Sequence, residues 1–331
     1  MKKSMKNRLF LVLISLYLFM GIKAQDKYVL QGEYVGFLDN REYFNSHNRA
    51  QTMFGNRLDL GLQFQVDSIQ KVFVGFDYVY EFGAPANAKP IIPTIYYAYK
   101  NTNIDFSFGA FPRSGKLDYP HLLLTDTLDY YKPNIEGVLL NLKSNIAHQN
   151  VWIDWTGRQS ETVNESFLAG TSGNIHKGIL FIENYLYMYH HAAKSIRDSL
   201  FHIRDNGGGM LLAGLDLRKQ YFVKFAVGSA FSYDRYRPNK YQINKGLFAQ
   251  ILFQHSFFGL RLIHYRGDGL SLAYGDGFYS ADNYTRIDGE IHFFHQKTIE
   301  LFLQLSVHVL ERDINTSQKL ILKIKLPKNS L

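Results

Sequence analysis

A membrane-spanning antiparallel β-barrel is the fold class this sequence predicts. Three observations predict it: apolar and polar residues alternate over unusually long runs, long and short connectors alternate between those runs, and helical periodicity is scarce. In Arg57–Asp67, Leu58, Leu60, Leu62, Phe64 and Val66 share one face. Val72, Val74, Phe76, Tyr78 and Tyr80 share another, opposite Lys71, Asp77 and Glu81. Ile104, Phe106 and Phe108 oppose Asp105 and Ser107, and the odd-numbered residues Leu301 to Val309 oppose Gln304, Ser306 and His308. Tyr221, Val223, Phe225 and Val227 oppose Lys224, Ala226 and Gly228 in the same way. Ordinary strands average about 5 or 6 residues, whereas these runs match the roughly 9 to 11 that a tilted strand needs to cross a bilayer.

The elements follow in order. Residues 1–24 read as a secretory leader: a basic head, the apolar run Leu9 to Met20, and a small residue at Ala24. The leader holds Lys2, Lys3, Lys6, Arg8 and Lys23 and no acid, so the formal charge of +8 drops to about +3 for residues 25–331. The basic excess therefore belongs to export, and nucleic acid is not an expected partner. No later stretch approaches 18 consecutive apolar residues, so no transmembrane helix is expected. The remainder reads as one domain of about sixteen strands, near 27–38, 56–66, 69–81, 93–100, 103–111, 135–143, 148–157, 162–170, 177–189, 209–217, 220–232, 244–256, 259–266, 286–295, 299–310 and 317–326.

Connectors after the even-numbered strands are roughly 2 to 6 residues long, and most of those after odd-numbered strands roughly 11 to 23. The connectors 158–161 and 311–316 are short and weaken the contrast. Short periplasmic turns and long external loops give this asymmetry, and an even strand count leaves both termini in the periplasm. Tyr78, Tyr80, Tyr185, Tyr187 and Tyr189 precede long loops, while Tyr97, Tyr99 and Tyr221 lie near short turns, as two interfacial girdles would require. Glu183 shares the parity of Tyr185 and is a defect in that pattern.

With these features in view, the chain resembles Gram-negative outer-membrane β-barrel porins, and its Tyr/Phe-rich strands and Ala24-Gln25 junction resemble Bacteroidota-type barrels. The segment Phe108-Gly109-Ala110-Phe111-Pro112-Arg113, ending a strand before a long loop, is similar to a stretch of several porin families. The resemblance implies an outer-membrane channel for passive diffusion of small solutes, without covalent chemistry or cofactor. Its surroundings would be outer-membrane lipid and lipopolysaccharide, with homo-oligomerisation open. A departure is the C-terminus, where such barrels usually end on an aromatic strand residue and this chain ends Lys323-Ile324-Lys325-Leu326-Pro327-Lys328-Asn329-Ser330-Leu331.

If the apolar parity meets lipid, the other parity lines the interior. Its charged members are Arg57, Asp59, Lys71, Asp77, Glu81, Asp105, Arg113, Asp154, Lys224, Asp288, Glu290 and Lys323, and rows of both signs would filter solutes by charge. The segment 113–134 is the third external loop and carries Lys116, Asp118, Asp126 and Asp129 together with Leu122-Leu123-Leu124, an apolar run that seeks burial. It is the expected constriction, a lid over the mouth being the rival. No metal site is expected: adjacent His190 and His191 point to opposite faces, and zero Cys excludes thiolate ligation. Gly267-Asp268-Gly269, Gly275-Asp276-Gly277 and Gly207-Gly208-Gly209 read as turns. The glycosylation-type sequons at Asn164, Asn283 and Asn315 read as chance. His264, Asp268 and Ser271 hold triad residue types without a nucleophile elbow, which leaves a lipid or lipid A hydrolase as an alternative. A non-conducting barrel of a secretion or surface-display machine is another.

Overall fold

The structure is a computed structural model that describes residues 28–326 apart from 86–90, 162, 193–202, 219–221 and 312. The expected leader, Tyr221 and the last five residues lie outside the described residues. Sixteen strands follow one another: β1 (Tyr28–Glu42), β2 (Gln51–Gln65), β3 (Gln70–Glu81), β4 (Ile91–Lys100), β5 (Ile104–Pro112), β6 (Asn134–Lys143), β7 (Ala147–Gly157), β8 (Ser166–Lys177), β9 (Leu180–His191), β10 (Arg204–Asp216), β11 (Val223–Tyr236), β12 (Gln242–Gln254), β13 (Phe258–Gly267), β14 (Asn283–His295), β15 (Ile299–Leu310) and β16 (Asp313–Lys325). Each pairs antiparallel with its sequence neighbours, and β1 pairs with β16 from Glu33↔Lys325 to Glu42↔Thr316, closing the barrel. The C-terminal strand thus closes the wall without an aromatic residue at its end; Lys325 occupies that place.

One end of the barrel carries the tight connectors 66–69, 101–103, 144–146, 178–179, 255–257 and 296–298, and the other the long loops 113–133 and 268–282. In this outer-membrane barrel the tight end is periplasmic. Several expected loops are shorter than the sequence suggests. β1 and β2 run on as a paired ribbon to Arg41↔Gln51, and β10 and β11 to Arg204↔Tyr236, so hairpin hydrogen bonds continue beyond the membrane-spanning length.

The alternation sorts the faces as the sequence requires. Leu62, Val74, Phe76, Ile95, Phe108, Val151, Leu211, Val227, Leu247 and Leu305 are exposed on the outer wall, while Phe73, Asp77, Tyr96, Trp152, Met210, Phe248 and Gln304 are buried inside. Tyr78, Tyr80, Tyr97 and Tyr99 lie on the outward parity near the two ends. Tyr185, Tyr187 and Tyr189 do not join them. On β9 it is Ile182, Leu186 and Met188 that face outward, while Tyr187 is buried and the rings of Tyr185 and Tyr189 pack against Tyr119 and Tyr274. The inner face of β9 carries three tyrosines because its external half meets folded loops instead of water. Glu183 is therefore no defect: it faces inward and pairs with Lys224.

Gly207, Gly208 and Gly209 form no turn and sit within β10. A Cβ on Gly208 would lie 2.7 Å from Leu272 Cδ2, so the glycine lets the 268–282 loop press against the wall. Gly109 has φ of 119°, and a Cβ there would fall 2.4 Å from the Ile95 carbonyl oxygen.

Since Leu62 faces lipid and Gln63 the interior, Leu62→Arg should lower the stability of vesicle-inserted protein by about 2–4 kcal/mol. Gln63→Ala, which loses side-chain hydrogen bonds to Gln31 and Lys71, should cost about 1 kcal/mol. Urea unfolding in phospholipid vesicles measures both, and equal effects would reverse the assigned faces.

Candidate functional site

A sixteen-strand wall encloses more space than its own side chains fill. Here the external half of the interior is occupied by the two long loops. Leu122, Leu123 and Leu124 are buried there, and Leu128 and Tyr130 follow on one helical turn, Leu128–Tyr131. The second loop adds Leu270, Phe278 and Tyr279, all buried, with Phe278 and Tyr279 on the 3₁₀ turn Gly277–Ser280. Two backbone hydrogen bonds join the loops, Thr125 N–H to Tyr274 O at 2.7 Å and Asp276 N–H to His121 O at 2.9 Å.

Ion pairs and hydrogen bonds tie this packed unit to the wall. Lys319 pairs with Asp126, and Arg41 reaches both Asp126 at 2.9 Å and Asp39 at 2.7 Å. Tyr130 donates to Asp39 at 3.2 Å and stacks on Phe37. Trp152 donates to the Tyr119 hydroxyl at 3.0 Å, which donates onward to the Leu186 carbonyl at 2.9 Å. Asn206 holds the second loop by donating to Ser271 O and accepting from Ala273 N–H, both at 2.9 Å. Arg286 lies between the loops and the wall, 2.7 Å from Asp288, 3.7 Å from Asp276 and 3.0 Å from His121 Nδ1.

All twelve charged residues expected inside project inward. Arg57 lies 3.3 Å from both Asp77 and Glu33 and donates to the Asp129 carbonyl at 2.9 Å. Asp59 stands across the β2–β3 ladder from Asp77. Lys71 donates to Gln63, and Glu81 accepts from Tyr131. Arg113 pairs with Asp154, Lys224 with Glu183, and Asp288 with Arg286. Glu290 is 3.7 Å from His292, and Lys323 3.6 Å from Glu300. Of the loop residues, Lys116 reaches down to Asp105 at 3.5 Å and Ser107 at 2.9 Å, and Asp126 anchors the clamp. Asp118 and Asp129 are exposed, and Asp129 serves through its backbone.

Residues outside the expected set complete the site. Asp39 and Arg41 fall where a connector is expected and belong instead to the extended β1. Arg286 and Lys319 share parity with Asp288 and Lys323, so the alternation alone could have found them. Beneath the loops, a cavity of about 800 Å³ lined by Asp105, Lys116, Asp118, Asn150, Glu183 and Tyr185 extends to the 144–146 turn at the periplasmic end. His264, Asp268 and Ser271 are not brought together. His264 faces outward against Thr285 at 2.9 Å, whereas Ser271 lies inside on Asp234 at 2.9 Å. Asp276 accepts from the Phe278 N–H at 3.1 Å, a turn-capping role.

A second charged cluster faces outward at the external rim. His190 Nδ1 lies 3.0 Å from Asp205, which also binds Arg237 at 2.9 Å and Arg235. His191 takes the other face, as adjacent strand residues must.

One family model, described as lipid A 3'-O-deacylase-type, matches residues 22–327. No curated protein sequence matches the chain. Among solved structures, a loop L8 deletion mutant of OmpT, an outer membrane protein of Vibrio cholerae, is similar at a TM-score of 0.59 and 9% identity over 90% of this chain and 99% of that one. The Salmonella typhi OmpF complex with daunomycin gives 0.52 at 11% identity, covering 91% and 98%. A Rhodopseudomonas blastica porin triple mutant gives 0.53 at 10% identity, covering 90% and 100%. These likenesses establish the sixteen-strand outer-membrane barrel fold.

The clamp should loosen in acid. Desolvation, and then the adjacent Arg286 guanidinium, push the His121 imidazole well below its ordinary value. A released loop takes that proton more readily, so loop closure weakens as pH falls below about 6.5. Desolvation alone would raise Asp126, but Lys319 and Arg41 hold it low, and its contribution is lost as pH falls through the carboxylate range. Burial raises Asp276, which opposes the trend. Trp152 fluorescence in a Trp155→Phe background should therefore change between pH 7 and 4, and His121→Gln should remove the part of the change nearest neutrality.

Proposed function

The chain belongs to the lipid A 3'-O-deacylase-type family, and from that premise and its porin-like barrel we propose a loop-gated outer-membrane channel for small solutes, selecting by width and charge. The single observation that carries this reading is the 113–133 loop, folded into the barrel above a polar cavity and held at its edges by ion pairs. Apolar packing at Leu122–Leu124 excludes water in the closed form, so passage requires the loop to shift. The clamp around Asp126 sets how readily it shifts, because removing one partner of a buried pair leaves an uncompensated charge. Solutes entering the cavity meet Lys116 and Glu183 as well as Asp105, so both signs of charge take part in selection.

A second reading rests on the His190–Asp205 pair and its two arginines, which face lipid at the rim where lipid A lies. The family's description names an acyl hydrolase. In this reading Asp205 orients His190 through Nδ1, and Nε2 takes a proton from water as the water oxygen bonds to an ester carbonyl carbon. The acyl C–O bond then breaks, His190 returns the proton to the departing alcohol oxygen, and the acyl group is released as a fatty acid. Arg235 and Arg237 would hold a phosphate.

Planar-bilayer recording distinguishes the two. The wild type should open rarely, and replacing residues 114–132 by a short glycine linker should raise mean conductance at least ten-fold. No ion-permeable state in the deletion variant would overturn the channel reading. Release of fatty acid from lipid A that is lost in His190→Ala would instead support the hydrolase.

A further inference from the structure

We propose that His292, His295 and Glu300 bind one divalent transition-metal ion of the zinc class inside the periplasmic mouth. The inference is independent of how the external half of the barrel works. In a regular strand, residues three apart point to opposite faces. The β14–β15 ladder runs His292↔Phe302 and then Phe294↔Leu301, leaving Phe293 without a partner, and His295 pairs with Glu300. This bulge turns Phe293 and Phe294 both outward, where both are exposed, and brings His292 and His295 to the same inner side. The tight turn 296–298 fixes the hairpin just beyond, with Gln296 N–H donating to Ile299 O at 2.9 Å.

The donor atoms converge. Glu300 Oε1 lies 3.9 Å from His292 Nδ1 and 3.7 Å from His295 Nδ1, and all three ligand atoms fall within 4.8 Å of one another. These separations are too long for hydrogen bonds. Tetrahedral ligands about 2.0–2.2 Å from a zinc ion stand roughly 3.4 Å apart, so small side-chain rotations complete the geometry. The His292 Nδ1 atom is buried and has no hydrogen-bond partner, which an ion would supply.

The surroundings also suit a metal. His292 Nε2 lies 3.7 Å from Glu290, the carboxylate–imidazole–metal arrangement that orients a ligating histidine. Lys323 lies 3.6 Å from the other Glu300 oxygen and leaves Oε1 to the ion. Two imidazole nitrogens with one carboxylate favour zinc, cobalt, nickel or copper over calcium and magnesium. His295 is largely exposed, so water has access to a fourth position.

Tag-free protein folded in detergent and stripped with chelator should take up one equivalent of Zn²⁺ in competition with a chromophoric chelator. Co²⁺ in its place should give the absorption of a tetrahedral site. His295→Ala and Glu300→Gln should each weaken binding at least ten-fold, and Glu290→Gln by 10- to 100-fold. His191→Ala should have no effect. Heat-modifiable migration on gels confirms that each variant is folded, and the exposure of His295 makes its variant informative even if His292→Ala does not fold. Substoichiometric uptake by the wild type, or equal uptake by the folded His295→Ala and Glu300→Gln variants, would overturn the proposal.

Discussion

Every backbone N–H and C=O within the bilayer must find a partner in the protein itself, and the rest of this structure depends on that constraint. A sheet meets it only by closing, and the ladder between β1 and β16 is where closure occurs. Once the wall is continuous, each strand residue has only two directions available. The period of two then decides its surroundings, with Leu62, Val74 and Leu247 toward lipid and Arg57, Asp77 and Asp288 toward the interior. The charged interior follows from wall geometry before any contact within it is considered.

Closure creates a second problem, because a wall of sixteen strands leaves a space that must hold either water or protein. The loops supply protein in the external half. Their centre is apolar, with Leu122, Leu123 and Phe278 excluding water, and their edge is charged, with Asp126 between Arg41 and Lys319. These contributions differ in kind. Burial of the leucines is non-directional and favours many arrangements, whereas the ion pairs favour one docking register, because a displaced Asp126 would lose both partners in a poorly solvated place. A barrel held this way can have a closed resting state without a permanent plug.

Much of the architecture was legible in the sequence. Sixteen strands, the alternation of tight and long connectors and the inward face of all twelve charged candidates follow from a local pattern. The burial of Leu122, Leu123 and Leu124 was legible too, because three consecutive leucines in a loop need a covered place. What escaped has physical reasons. Tyr185, Tyr187 and Tyr189 look like interfacial residues because an inner face packed on loops is as apolar as one packed on lipid. Gly207–Gly209 look like a turn because the groups that crowd them, Tyr233 beside Gly207, Leu272 beside Gly208 and Leu186 beside Gly209, come from other strands and a distant loop. The placement of His292 and His295 on one side depends on a single unpaired residue, Phe293, which no periodicity announces.

The sequence by itself determined the wall: which residues cross the membrane, which face lipid and which end carries the long loops. These are consequences of alternation over neighbouring residues, and a membrane enforces them locally. Only the tertiary structure decided what fills the barrel and which charges meet. Arg41 and Asp126 are separated by 85 positions and Lys319 and Asp126 by 193, yet they form one clamp. Such contacts depend on strand register and on the path of the loops around the closed wall, and no short window of the chain contains that information.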